Sequence, residues 1–128
     1  KSSAAKMVEI GDILYALYGA TSGEVAISRI KGAINQAVLC IKSSENHYFI
    51  YSYLLHKKES ILSNYLQGGQ GNLSAEIVKQ IKILIPSIKE QGQIATFLSK
   101  MDQKIQIEKE ILVQLSKQKK YLLQRMFV

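Results

Sequence analysis

The chain has 128 residues, 47% of them hydrophobic and 21% charged, with one Pro and a net charge of +7, which suits one folded domain with an appendage and excludes a disordered chain. The only Cys, Cys40, excludes an internal disulfide and a cysteine-based zinc cluster, and no apolar run approaches the ~18–20 residues of a membrane span. The positive charge suits nucleic-acid phosphates and ordinary solubility equally well.

Lys1 opens the chain without an initiator Met or a signal-peptide pattern, as expected of a fragment or a processed product, and the expected compartment is the cytoplasm. Asp12–Tyr18 is rich in Ile, Leu and Tyr and closes on Gly19 and Gly23, which predicts a strand. Glu24–Arg29 and Ala37–Ile41 read as two more, separated by a turn through Lys31-Gly32. His47–Leu66 has no Gly or Pro, and its apolar residues fall on one helical face. Gln67–Asn72 is a loop, because its three glycines would cost a regular element too much entropy. Ser74 offers an N-cap for a short helix to about Gln80. Ile81–Ile85 reads as a last strand, ended by Pro86.

The tail carries the clearest pattern. Ser87-Ile88-Lys89-Glu90 has the form of a capping box, and from Glu90 to Phe127 the one helix-weakening residue is Gly92 in the first turn. Ile94, Phe97, Leu98, Met101, Ile105, Leu112, Leu115, Leu122, Leu123 and Met126 form one stripe, many at alternating steps of three and four. A helix of this length measures ~57 Å, whereas a globule of the preceding residues spans roughly 30 Å. The rod therefore overhangs its own domain, and its stripe needs a second helix to cover it. Glu108 and Lys119 interrupt the stripe. Crossing two copies about a twofold axis near residues 113–114 sets Glu108 opposite Lys119 and Leu112 opposite Leu115, leaving Ile94, Phe97 and Leu98 to pack on the globule.

Catalytic constellations fail on inventory. His47 and His56 stand nine apart on the predicted helix, on opposite faces, and read as surface or packing residues. Gly19–Glu24 lacks the Lys-Ser/Thr ending of a phosphate loop, and Gly68–Gly71 does not fit a dinucleotide fingerprint. Asp12 reads as a turn cap rather than a metal ligand, and Cys40 as a buried, inert thiol. Neither catalytic nor metal-binding residues are expected.

In chain order, Gly11-Asp12-Ile13-Leu14, Gly19-Ala20-Thr21-Ser22-Gly23, Ala33-Ile34-Asn35-Gln36, Gly71-Asn72-Leu73-Ser74, Ile83-Leu84-Ile85-Pro86, Glu90-Gln91 with Ile94-Ala95, Leu98 and Asp102, and Leu122-Leu123-Gln124 with Met126-Phe127 accumulate. Together they resemble the C-terminal part of a specificity subunit of type I DNA restriction-modification enzymes. The resemblance implies an α+β fold, with a partial target recognition domain over residues 1–88. One long spacer helix over 89–128 would pair in an antiparallel coiled coil. It further implies a non-catalytic subunit that reads double-stranded DNA and scaffolds methyltransferase subunits, joined by a restriction and translocase subunit. S-adenosylmethionine, Mg and ATP would be held only by those partners. The stretch before the helix is shorter than is usual in this family, so part of the DNA-reading surface is expected to lie outside it.

Thr21 and Ser22, bracketed by glycines, are candidates for a phosphate or simply part of a turn. Gln67, Gln70 and Asn72 suit adenine edges or simply a packing loop. Lys31, Lys57, Lys58, Lys79 and Lys82 are candidates for phosphate contacts. The helix-pairing candidates are Met101, Ile105, Glu108, Leu112, Leu115, Lys119, Leu122 and Met126, and an antiparallel homodimer is one expected outcome. The alternative reading is a non-DNA α/β interaction domain dimerised by its helix.

Overall fold

Short runs of alternating apolar and polar residues form strands only where a neighbour completes their hydrogen bonds. In the computed structural model, which describes residues 6–65 and 72–127, three such runs find each other. Strands β2 (Ile13–Ala16), β3 (Val25–Ile27) and β5 (Val38–Ile41) form an antiparallel sheet in the order β3-β2-β5. Tyr15 lies opposite Val25 on one side and Leu39 on the other. Ile13, Tyr15 and Leu17 alternate onto a buried face. Helix α1 (His47–Tyr65) covers that face with Phe49, Ile50, Leu54 and Ile61, and Leu73 and Val78 close the same core.

A second ladder differs from the sequence reading. Strand β1 (Lys6–Val8) pairs antiparallel with β4 (Gly32–Ile34), so Gly32 begins a strand where a turn is predicted. Three-residue strands carry almost no periodic signal; each exists because its partner does. The opposite correction applies to Ile81–Ile85, which is not a strand. Its alternation is real, since Ile81 and Ile83 pack against the core while Leu84 is 89% exposed. No ladder forms along it among the described residues.

The helix starts follow their capping chemistry. Asn46 Oδ1 accepts from the Phe49 amide at 3.0 Å and starts α1. Ser74 Oγ accepts from the Ile77 amide and starts α2 (Ala75–Lys79). Ser87 and Glu90 exchange hydrogen bonds as a capping box at the start of α3 (Ile88–Met126). These bonds from Ser87 hold the Glu90 carboxyl below its ordinary range. The chain forms two compact units, Lys1–Ala95 and Thr96–Val128, so the first two turns of α3 belong to the first. There the buried helix residues are Gln91 and Ala95. Ile94, expected with Phe97 and Leu98 to pack on the globule, is 39% exposed, and Phe97 and Leu98 belong to the second unit. At this root hydropathy points to Ile94, whereas the deepest contact is made by the polar Gln91.

Asp12 caps the turn before β2. Its Oδ2 accepts from the Glu9 amide at 2.9 Å and from the Cys40 thiol at 3.4 Å, with the Lys42 ammonium 3.7 Å away. The Glu9 amide bond is the main reason its carboxyl titrates low. Cys40 is half-buried rather than fully buried, and burial, followed by Asp12, pushes its thiol up.

His47 lies between two carbonyls. Its Nδ1 is 2.7 Å from Gly11 O and its Nε2 is 2.9 Å from Ser43 O. Carbonyls only accept, so both contacts are hydrogen bonds only when both ring nitrogens carry protons. The bonds to Ser43 and Gly11, aided by Asp12, raise its pKa above the ordinary value. A raised folded-state pKa contributes stability that is complete below the unfolded value and is lost as pH rises through the folded one. Chemical denaturation in steps from about pH 5 to about pH 9 should therefore show wild type losing stability as pH rises across the imidazole range. His47→Gln should show no such step, and a wild-type profile that is flat there would refute the assignment.

Candidate nucleic-acid interface

The turn after β2 is built by its glycines. Gly19 and Gly23 take φ of +76° and +81°, flanking one turn of 3-10 helix over Gly19–Thr21. A Cβ on Gly23 would stand 3.1 Å from Leu62 of α1, so the turn lies close against that helix. Its amides are used internally: Ser22 N donates to Gly19 O, Gly23 N to Ala16 O and Glu24 N to Thr21 O. Ser22 is buried, and its hydroxyl donates to Leu17 O at 3.1 Å. Of the two hydroxyls picked out in the sequence, Thr21 is therefore the exposed one.

Two of the other candidates, Asn72 and Lys58, lie at this end of the sheet, while Lys79 and Lys82 follow from α2. The Leu73 amide donates to Leu17 O at 2.9 Å, which brings the exposed Asn72 beside the turn. Lys58 reaches from α1 to the Glu24 carboxylate. Its neighbour Lys57 is half-buried on the same helix. Lys79 ends α2, and Lys82 follows it, tied to α1 where Tyr53 Oη donates to the Lys82 carbonyl at 3.3 Å. Lys57, Lys79 and Lys82 have no ion-pair partner among the described residues. Lys31 is not part of this group. It follows β3 at the opposite end of the sheet, with its ammonium 2.9 Å from the Glu9 carboxylate. Gln67 and Gln70 lie outside the described residues.

One feature has no linear signature. A cleft of about 720 Å³ opens between β4, β5 and the start of α2, floored by Leu17, Ile34, Val38 and Leu39 and rimmed by Lys6, Asn35, Gln36 and Glu76. It depends on the β1–β4 ladder, which the sequence alone does not reveal. Among the described residues no group of His, Cys, Asp and Glu could hold a metal ion, and no helix is long and apolar enough to cross a membrane.

The second unit is helix throughout its described length up to Met126. Met101, Ile105, Leu112, Leu115, Leu122 and Met126 are all exposed, and Glu108 and Lys119 share their line. Met101, Ile105 and Leu112, with the stems of Lys104, Glu108 and Lys109, line a shallow apolar groove on it. From Met101 to Met126 these eight positions alternate steps of four and three without a break, the spacing of a coiled-coil seam.

Comparison with known proteins agrees with the motif reading. The family described as the type I restriction modification DNA specificity domain matches residues 2–117. Two similar proteins come from Methanocaldococcus jannaschii. The type I restriction enzyme MjaVIII specificity subunit is 34% identical over 127 residues, covering 94% of this chain and 29% of that protein. The putative type I restriction enzyme MjaX specificity subunit is 32% identical over 123 residues, covering 92% of this chain and 28% of that protein. The chain thus spans less than a third of the length of these curated relatives. With a family match over nearly its whole length, ordered motifs and a mixed α+β fold ending in one long helix, this chain belongs to the type I restriction-modification DNA specificity family.

Proposed function

We propose that this chain is a DNA-reading and spacer module of a type I restriction-modification enzyme, and that it scaffolds methyltransferase subunits without catalysing a reaction itself. The observation that carries this reading is the unbroken, exposed heptad stripe on α3 of a specificity-family chain. Six large apolar side chains left in water forgo ~1.5–3 kcal/mol each relative to burial, which a partner helix recovers. In this reading Thr21, Lys57, Asn72, Lys79 and Lys82 face the duplex, with Lys58 reaching it at the cost of its ion pair to Glu24. Lys31 and Ser22 serve the fold. S-adenosylmethionine, Mg and ATP are held by partner subunits, including the restriction and translocase subunit. The alternative, a non-DNA interaction domain, shares the helix but leaves the unpaired lysines without a role.

The stripe also suits a second copy. Antiparallel crossing between residues 113 and 114 sets Met101 opposite Met126, Ile105 opposite Leu122, Glu108 opposite Lys119 and Leu112 opposite Leu115, each pair occurring twice. Opposite charges at matching seam positions favour this register over shifted ones.

Three experiments test the reading. Purified chain mixed with S-adenosylmethionine and duplex DNA should transfer no labelled methyl groups until methyltransferase subunits are added. Transfer that survives repurification would contradict a non-catalytic subunit. Binding of labelled duplexes should weaken steeply with salt, and Lys79→Gln and Lys82→Gln should each flatten the log–log slope by about 1 while weakening all sequences alike. Unchanged slopes would remove these lysines from the interface. Light scattering should give a dimer mass. Glu108→Lys should weaken dimers by about tenfold or more, and adding Lys119→Glu should restore them. A wild type monomeric at high concentration excludes self-pairing, and a double variant that fails to recover excludes this register.

A further inference from the structure

Gln91 is buried to 1% exposure, the lowest of the buried polar and charged side chains Asp12, Ser22, Ser28 and Gln91 among the described residues, although it sits on a helix whose other faces are mostly in water. Burying a carboxamide is costly unless its polar atoms are satisfied. Here they are. Its Oε1 accepts from the Asn46 amide at 2.9 Å, and its Nε2 donates to Glu45 Oε2 at 2.7 Å and to Pro86 O at 3.0 Å. The orientation is forced: reversing the amide would set its NH₂ against an N–H and its oxygen against a carboxylate and a carbonyl.

The residues it grips are themselves fixed. Asn46 caps α1, the Glu45 amide donates to Ser43 Oγ at 3.1 Å, and His47 holds the Ser43 carbonyl. One side chain thus joins the loop between β5 and α1 to the segment that leads into α3. The joint lies wholly within the first unit.

We infer that Gln91 is a positioning residue that fixes the root of α3, residues 88–95, to the loop at residues 43–46. The root offers little apolar contact to do this work, since Ile88 and Ile94 are exposed and only Ala95 joins Gln91 in burial. A root held by apolar contact could slide or rotate at small cost. One held by a forced set of three hydrogen bonds has a single register. The bearing of this joint on DNA reading rests on the spacer function proposed above. The joint itself does not, and its test uses no DNA, so failure to bind DNA would leave it standing.

Gln91→Glu keeps the size and the acceptor but turns the donor toward Glu45 into a second carboxylate. Adding Glu45→Gln returns a donor to that contact and leaves only the Pro86 carbonyl unserved. Hydrogen exchange on the full chain should show amides of residues 45–50 and 88–95 exchanging about tenfold faster or more in Gln91→Glu, with those of β2 unchanged. The double variant should recover most of that protection. A side chain that merely fills space would make the first substitution silent, and a silent result overturns the assignment. So does a double variant no better than the single one. If Gln91→Glu does not fold, the same reading is made on whether Glu45→Gln restores folding.

Discussion

The sheet formed by β3, β2 and β5 has one apolar face, and α1 covers it. Ile13, Tyr15 and Leu17 reach that face only because β2 is central, paired on both sides. Most of the first unit is positioned by this contact. The Gly19–Gly23 turn presses on α1 at Leu62, Leu73 is drawn in beside Leu17, and α2 closes the core through Val78. The exposed Thr21, Asn72 and the α1 lysines share one end of the sheet as a consequence of that packing, not of any local motif.

Around this apolar centre the joints are polar and directional. Asp12 gathers the Glu9 amide, the Cys40 thiol and the Lys42 ammonium at the start of β2. His47 joins the neighbouring Gly11 carbonyl to that of Ser43, and Gln91 takes over from the next two residues of the loop. A small core supplies limited stabilisation and little orientation. Hydrogen bonds with fixed donors and acceptors supply the orientation, so each of these side chains matters more than its buried area indicates.

The second unit reverses these proportions. Its described helix has an unbroken heptad seam and no core of its own. A seam of this kind is complete only with another helix. Among the described residues, Lys57, Lys79 and Lys82 of the first unit have no ion-pair partner, and the second unit carries an exposed apolar stripe.

Local chemistry was legible in the sequence. Ser74 and the Ser87–Glu90 box announced two helix starts, because a cap depends on residues within four positions of one another. The periodicity of His47–Tyr65 and of α3 announced two long helices, and the ordered motifs announced the family. Long-range pairing was not legible. The β1–β4 ladder joins residues more than twenty positions apart through three-residue strands, and the alternation of Ile81–Ile85 is the same with or without a neighbour. Nor could hydropathy show that Gln91 is buried while Ile94 is exposed. A polar side chain goes inside only when partners from distant segments meet it, and the tertiary structure alone brings Glu45, Asn46 and Pro86 to one carboxamide.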